Sequence, residues 1–489
     1  MIEMILIALG RFIQYALLLI TLRVSSTLLV PTELGKVSLI VSTVGFFALF
    51  LINPIGMFIN RRFLNWDNRH TAKKYFRYFW FYLAVVGLLA NGLVFILVKL
   101  DLWHVDFSIY MLFFLIGGNL FFGTISQTAI SLLTMLGFRR WFMALTIATN
   151  LASLLLAIAL VLGFSRGAQF WLSGILVGQI VVGMLGLWVF YKKLKNPLHT
   201  FISKAPQRST ISSRALLRLF QFAWPIALAV GLGWVQSQAY RYQLTASLGL
   251  SQLGLFVAGF GISSGLIAGF DSMVTTYFGP IFYRRLSDTE DQHHGSAWQD
   301  YANAVIPSLI LTGFFIIAIA PELTKILLGP LFQESGIYVI WGAMAEVART
   351  AVGVYALGAH ARMNTRLLIV PNLLGAVLAL ILVQTLSPTY GLQGVGAALL
   401  IASLGSLLAS IMSNKNHIVV TLSLKQIIKA ILLGCFLLLI AGVVAYSKIL
   451  QGGIFYSFGI AVIVGIIFLG AQWYLLYDYI ANDDPRGQK

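Results

Sequence analysis

Trp234, Gln238 and Arg241 fall at i, i+4 and i+7, one narrow stripe of a helix. An aromatic face stacks on a sugar ring, an amide hydrogen-bonds its hydroxyls, and a guanidinium grips a phosphate through a planar fork of donors. Arg11, with Gln14 and Tyr15 one turn on, offers similar groups, and Arg23 is a third cation at the end of an apolar stretch. Glu346 and Arg349 are spaced to pair, and Asp271 is a second acid in apolar surroundings. Together they suit an anionic, sugar-bearing ligand and a small cation.

Each residue also has a plainer reading. Arg11 is about 10 Å from the start of its helix, close enough to snorkel to headgroups. Trp234, Arg241 and Arg23 fit an interfacial belt. Glu346 with Arg349 makes a structural ion pair, and Asp271 can serve as a packing partner for a base. If Glu346 instead holds a coupling cation, Arg349 keeps it ionised or meets the substrate.

The elements that must position these residues are membrane helices. The chain has 489 residues, 59% hydrophobic and 10% charged, with mean hydropathy +0.88. Soluble domains are about 45–50% apolar and about 25% charged, so a cytosolic enzyme and a disordered chain are excluded. Crossing a bilayer takes about 20 mostly apolar residues. That ruler gives fourteen spans, near 4–22, 36–58, 76–98, 109–136, 141–163, 168–191, 219–243, 250–277, 303–320, 335–359, 366–386, 391–413, 426–447 and 453–477. The predicted fold is an all-α polytopic membrane protein with about 14 transmembrane helices. The first apolar stretch holds Arg11 and no small-residue cleavage site, so it is expected to be retained as a helix. Cys435, the single cysteine, supports neither thiol nor metal chemistry on its own.

The formal charge is +17, and its placement orients the helices. With a cytoplasmic N-terminus, the cytoplasmic loops and tail hold 24 of the 33 basic residues and the outer connections hold six. The positive-inside rule asks for that bias, and no soluble domain remains to present a nucleic-acid surface. Both termini are expected on the cytoplasmic side of the membrane.

The chain also repeats itself. Pro31-Thr-Glu33-Leu34-Gly35 corresponds to Ser251-Gln252-Leu253-Gly254, Arg61-Arg62 to Arg284-Arg285, Leu136-Gly137 to Leu357-Gly358, and Asn150 to Asn372. The offsets stay between 219 and 223 residues. Two six-helix lobes follow, 1–195 and 218–414, joined by a basic, Ser-rich cytoplasmic linker at 196–217 and followed by two further helices and a tail in 415–489. A parallel repeat of this kind places a substrate site between lobes and permits alternating access. The small-residue spacings Gly261/Gly265/Gly269 and Gly174/Gly178 predict close helix packing, and Asn150 and Asn372 predict interhelical hydrogen bonds.

The Pro-x-Glu-Leu-Gly segment after Arg23, the Arg61-Arg62 exit, Ile326-Leu-Leu-Gly329-Pro-Leu-Phe332 and Gly391-Leu-Gln-Gly394-Val-Gly396 resemble the polysaccharide-biosynthesis flippases (Wzx-type) of the multidrug/oligosaccharidyl-lipid/polysaccharide exporter superfamily. The resemblance covers nearly the whole chain. It implies a V-shaped pair of lobes and export of an undecaprenyl-pyrophosphate-linked oligosaccharide (an O-antigen or exopolysaccharide repeat unit) to the outer leaflet. It further implies a non-enzymatic, ion-gradient-driven cycle with no cofactor beyond a coupling Na+ or H+. Polysaccharide polymerase and glycosyltransferases are the implied partners, and no nucleic acid is involved. No phosphate-binding loop of the Gly-x4-Gly-Lys-Ser/Thr type is present, in keeping with a gradient as fuel. In this reading Arg11, Arg23, Trp234, Gln238, Arg241 and Arg349 bind pyrophosphate and glycan, and Glu346 and Asp271 hold the coupling ion. The alternative within the superfamily is a multidrug/toxin cation antiporter. A membrane glycosyltransferase or ligase would need a large outer loop, and the outer connections here are short.

Overall fold

The computed structural model describes residues 2–100, 106–194, 213–288, 294–361, 365–415, 422–446 and 453–481. Within these the chain is helical throughout. In hydrocarbon every backbone N–H and C=O must be satisfied inside the segment, and the helix does this locally for a run of apolar residues. The helices are α1 (Ile2–Leu28), α2 (Pro31–Phe47), α3 (Asn53–Asn68), α4 (Ala72–Lys99), α5 (Ile109–Gly118), α6 (Thr124–Met135), α7 (Arg139–Gly163) and α8 (Ala168–Lys193). After the linker come α9 (Ser213–Gln238), α10 (Tyr240–Leu248), α11 (Leu250–Asp288), α12 (His294–Ala318), α13 (Ala320–Leu327), α14 (Gly336–Ala361), α15 (Ile369–Lys415), α16 (Leu424–Tyr446) and α17 (Ile454–Ala481).

Twelve described helical stretches are long and apolar enough to cross a membrane, and α1 is apolar over Ile13–Leu28. One of the twelve, Ile369–Asn414, turns at Gly391, whose φ of +57° an L side chain rarely adopts. It therefore accounts for two of the fourteen expected spans, and Ile13–Leu28 for the first. The predicted span at 36–58 is part of a longer run, Pro31–Asn68, with a π-helical turn at Ala48–Ile52. Pro54 explains the turn: without an N–H it cannot donate to the preceding turn. Tyr82 Oη donates to the Leu51 carbonyl at 2.8 Å.

The helices group into two compact units, Met1–Thr21 with Leu28–Trp234, and Leu22–Thr27 with Val235–Lys489. In the first, Phe63, Phe76 and Phe190 form an aromatic core with centroids 5.2–6.0 Å apart. Gly174 and Gly178 lie against α7, where an added Cβ would stand 2.3 Å from Ala157 Cα and 2.5 Å from Ser153 Cα, as their spacing predicts. In the second unit Trp298, Phe282, Tyr301, Val354 and Tyr355 form a core, and Trp298 Nε1 donates to the Val354 carbonyl at 3.0 Å. Gln472 of α17 donates to Ser308 O at 2.8 Å and Thr312 Oγ1 at 3.1 Å on α12.

Two packing expectations change. A Cβ at Gly261 or Gly265 would meet nothing within 4 Å, so α11 faces open space at these two positions, while Gly269, the third of the spacing, is buried. The face of α11 that does pack on α14 carries Gly259, Phe260 and Ser263, with Ser263 Oγ donating to Val339 O at 2.6 Å. Asn150 is exposed on the surface of α7, so its side chain is not buried between helices.

The motif residues have local duties. Glu33 Oε2 accepts from Ala168 N at 2.7 Å, placing a carboxylate on the positive end of α8, while Oε1 pairs with Lys36 at 2.8 Å. Gly329 abuts the backbone of Ser26: an added Cβ would lie 2.2 Å from Ser26 O, and Gly329 N donates to Ser26 Oγ at 2.9 Å.

Candidate functional site

The second unit carries a polar cluster in the middle of two membrane helices. α11 and α14 run side by side, with contacts from Gly259 at Ser335 to Gly342 at Phe260 and Ser263 at Val339. Continuing along that seam, Ser264 of α11 meets Glu346 of α14. Glu346 is 4% exposed. Its Oε1 accepts from Ser264 Oγ at 2.6 Å and its Oε2 from Arg349 Nε at 2.8 Å, with Arg349 Nη2 closing the pair. The two ends of the ion pair differ in solvation: the carboxylate side chain is 5% exposed and the guanidinium 44%.

Asp271 stands two helical turns beyond Ser264 on α11, exposed, and within electrostatic reach of Arg349. The structure thus brings Glu346, Arg349 and Asp271 into one neighbourhood and adds Ser264. When all three ionise, two carboxylates face one guanidinium, a net negative charge in a membrane segment. A buried carboxylate costs several kcal/mol to desolvate unless partners repay it. Ser264 and Arg349 supply partners, and the excess carboxylate gives the cluster chemistry suited to one small cation or proton. Among the described residues no group of three or more His, Cys, Asp or Glu side chains could hold a metal ion.

The remaining sequence candidates are dispersed. The Arg11 side chain lies outside the described residues, although its backbone belongs to α1. Arg23 Nη1 donates to Lys325 O at 3.0 Å and to Leu328 O, thereby binding the last carbonyls of α13. Trp234 is 9% exposed. Its Nε1 donates to Ser42 O at 3.1 Å and its ring meets Phe46 edge-on at 4.9 Å, so both face and polar edge are engaged. α9 ends at Gln238, and Arg241 belongs to α10, half-buried with its guanidinium carbon 5.8 Å from the Tyr240 ring centre. Trp234 groups with the first unit, and Gln238 and Arg241 with the second.

Sequence reasoning missed Ser264, which a one-helix view cannot connect to an acid 82 residues away. It also missed Ser26 and Glu33 as anchors, although Glu33 stood in a motif already singled out.

No protein-family model and no curated protein sequence matches the chain. Solved structures do. The chain is similar to the lipid II flippase MurJ in an inward closed conformation, with TM-score 0.68, 14% identity, and 97% of this chain and 100% of that one covered. It is also similar to an inward-facing multidrug resistance MATE family transporter of the MOP superfamily, with TM-score 0.60 and 14% identity over 82% of this chain and 94% of that one. A Vibrio cholerae MATE transporter, VcmN, matches with TM-score 0.54 and 14% identity over 83% and 93%. The chain is a multi-pass membrane protein with the fold shared by MurJ and the MATE transporters.

Proposed function

We propose that this chain is a flippase that moves an undecaprenyl-pyrophosphate-linked oligosaccharide from the inner to the outer leaflet of a bacterial plasma membrane by alternating access. The observation that carries this reading is the extent of the match. The likeness to a lipid flippase takes in 97% of the chain, whereas the MATE likenesses take in 82–83%. A polyprenyl substrate differs from a soluble drug chiefly in its long apolar tail. Beyond the repeats, α16 and α17 enclose an apolar groove lined by Ile440, Val444, Phe455, Tyr456, Gly459 and Ile463, with chemistry that suits such a tail.

In this proposal Arg11, Arg23, Arg241 and Arg349 supply positive charge for the pyrophosphate, and Trp234 and Gln238 contact glycan once freed from their present surroundings. Glu346 and Asp271 bind the coupling Na+ or H+. Glycosyltransferases and a polymerase act before and after transport, and both termini lie in the cytoplasm, as the distribution of basic residues supports.

The same carboxylates favour a second reading, a cation antiporter, because their excess negative charge suits a cationic drug. One experiment separates the two. In proteoliposomes carrying the purified chain, a fluorescent undecaprenyl-pyrophosphate oligosaccharide should reach the opposite leaflet when an ion gradient is imposed. Efflux of ethidium without movement of the lipid-linked sugar would reject the flippase in favour of the antiporter.

A further inference from the structure

The end of the first unit that charge bias assigns to the cytoplasm is built around the α3–α4 corner. α3 runs past the apolar part of its span, the chain turns at His70 (φ +55°), and α4 starts at Ala72. Arg61, Arg62, Arg69 and Arg77 are all exposed on this corner. Asp67 is the one acidic residue between positions 53 and 100, and it is 3% exposed. The corner therefore presents arginines to its surroundings with its acid withdrawn from them. Trp66 and Tyr75 stack at 4.3 Å with 19° between their planes.

The neighbourhood of these arginines identifies what they face. On α4, Arg77 heads a stripe that continues through Phe81 (72% exposed), Val85 (37%) and Leu88 (71%), at helical spacing. On α3, Arg61 lies between Met57 and Leu64, each 47% exposed, at i−4 and i+3. Exposed apolar side chains in register along a membrane helix suit acyl chains, and the arginines at the ends of these stripes lie where the phosphates above such chains would meet them. Trp and Tyr concentrate at the same depth. A soluble acidic protein would not be expected to meet a patch that grades into hydrocarbon-facing side chains. A lipid with a phosphate above an acyl chain matches both halves.

We propose that the α3–α4 corner is a binding surface for anionic phospholipid headgroups of the inner leaflet. Arg61, Arg62, Arg69 and Arg77 take phosphodiester oxygens, and the Trp66–Tyr75 stack forms the wall beside them. Topology alone does not require this: the positive-inside rule is met by basic residues anywhere in the loop, whereas lipid capture needs them exposed, clustered and continuous with the lipid-facing stripes. The inference is independent of which substrate the protein carries.

Native mass spectrometry of the full-length protein in detergent, incubated with phosphatidylglycerol or phosphatidylcholine, tests it. The wild type should retain phosphatidylglycerol at least about tenfold better, and the preference should shrink as salt is raised. Joint replacement Arg61→Gln, Arg62→Gln, Arg69→Gln and Arg77→Gln should abolish the preference. The matched Arg→Lys set keeps the charge and should retain most of it, which separates lost binding from lost folding or altered insertion. Lys99→Gln with Lys325→Gln should leave it intact. Equal retention of both lipids by the wild type, a preference that survives the Gln set, or one that ignores salt would overturn the proposal. So would complete displacement by millimolar inorganic pyrophosphate, which would assign the corner to a soluble anion.

Discussion

Glu346 and Arg349 are one helical turn apart on α14, yet the carboxylate is buried and the guanidinium is half in the open. The asymmetry decides what each substitution does. Removing Arg349 leaves a carboxylate in a low-dielectric seam, still accepting the hydrogen bond from Ser264. Arg349→Ala should therefore lower stability by about 2–3 kcal/mol, at the small end for a broken buried pair because the arginine is half-solvated. Glu346→Gln removes the charge that needed compensation and keeps an oxygen for Ser264, so it should cost under about 1.5 kcal/mol. Thermal unfolding of the detergent-purified variants measures both. The double variant Glu346→Gln with Arg349→Ala should be more stable than Arg349→Ala alone. If it is less stable, the buried carboxylate is not the source of the loss. Under the proposed function, Glu346→Gln should in addition blunt the response of transport to the imposed ion gradient.

Gly329 and Gly261 are both glycines in or beside membrane helices, and the structure gives them opposite sensitivities. A Cβ at Gly329 would fall 2.2 Å from the Ser26 carbonyl, while one at Gly261 meets nothing within 4 Å. Gly329→Ala should cost about 2–3 kcal/mol through forced backbone separation. Gly261→Ala should be neutral or slightly stabilising, since alanine is the better helix former by about 1 kcal/mol. Fluorescence-detected size exclusion after a heat challenge ranks them directly, and equal midpoints would refute the assigned contacts.

Gly459 lines the apolar groove and has open space where its Cβ would be. Gly459→Trp should therefore fill the groove without disturbing the helices around it. The expected outcome is slower flipping of a lipid-linked sugar on a long polyprenyl chain with little change for a short-chain analogue. Equal inhibition of both would show that the groove does not receive the tail. This substitution is a cleaner probe than removing α16 and α17, because Gln472 fastens α17 to α12 through two hydrogen bonds.

The spans were legible because a bilayer reads local composition: twenty apolar residues report themselves wherever they occur. The break between the spans at 366–386 and 391–413, which the structure makes at Gly391, was legible in the same way, and the tight α7–α8 packing at Gly174 and Gly178 because small residues at that spacing let backbones approach. What failed to show was direction around the helix axis. Gly261 and Gly265 have the same spacing as Gly174 and Gly178, but nothing in that spacing says which face the neighbouring helix takes. The site divides in the same way. Glu346 and Arg349 were legible because their partnership is local to one helix. Ser264 was not, nor were the acceptors of Arg23, which lie 302 and 305 residues away. Arg23 also shows that a cation in an apolar stretch can have one of its donors held by main-chain carbonyls, an acceptor that side-chain patterns do not reveal.

The wide turn at Ala48–Ile52 bears on how this gene can change length. A π-helical turn holds more residues than an α turn, as if one amino acid had been inserted into a regular helix. Deleting one residue elsewhere in the long run Pro31–Asn68 rotates everything downstream by about 100° and carries the Arg61 and Arg62 faces away from their present surroundings. Deleting one within Ala48–Ile52 instead lets the bulge relax to α geometry while the flanking faces keep their register. Insertions and deletions in relatives of this chain should gather at that turn, and at a second π-helical turn, Asn119–Gly123 between α5 and α6, while the rest of both helices holds its length.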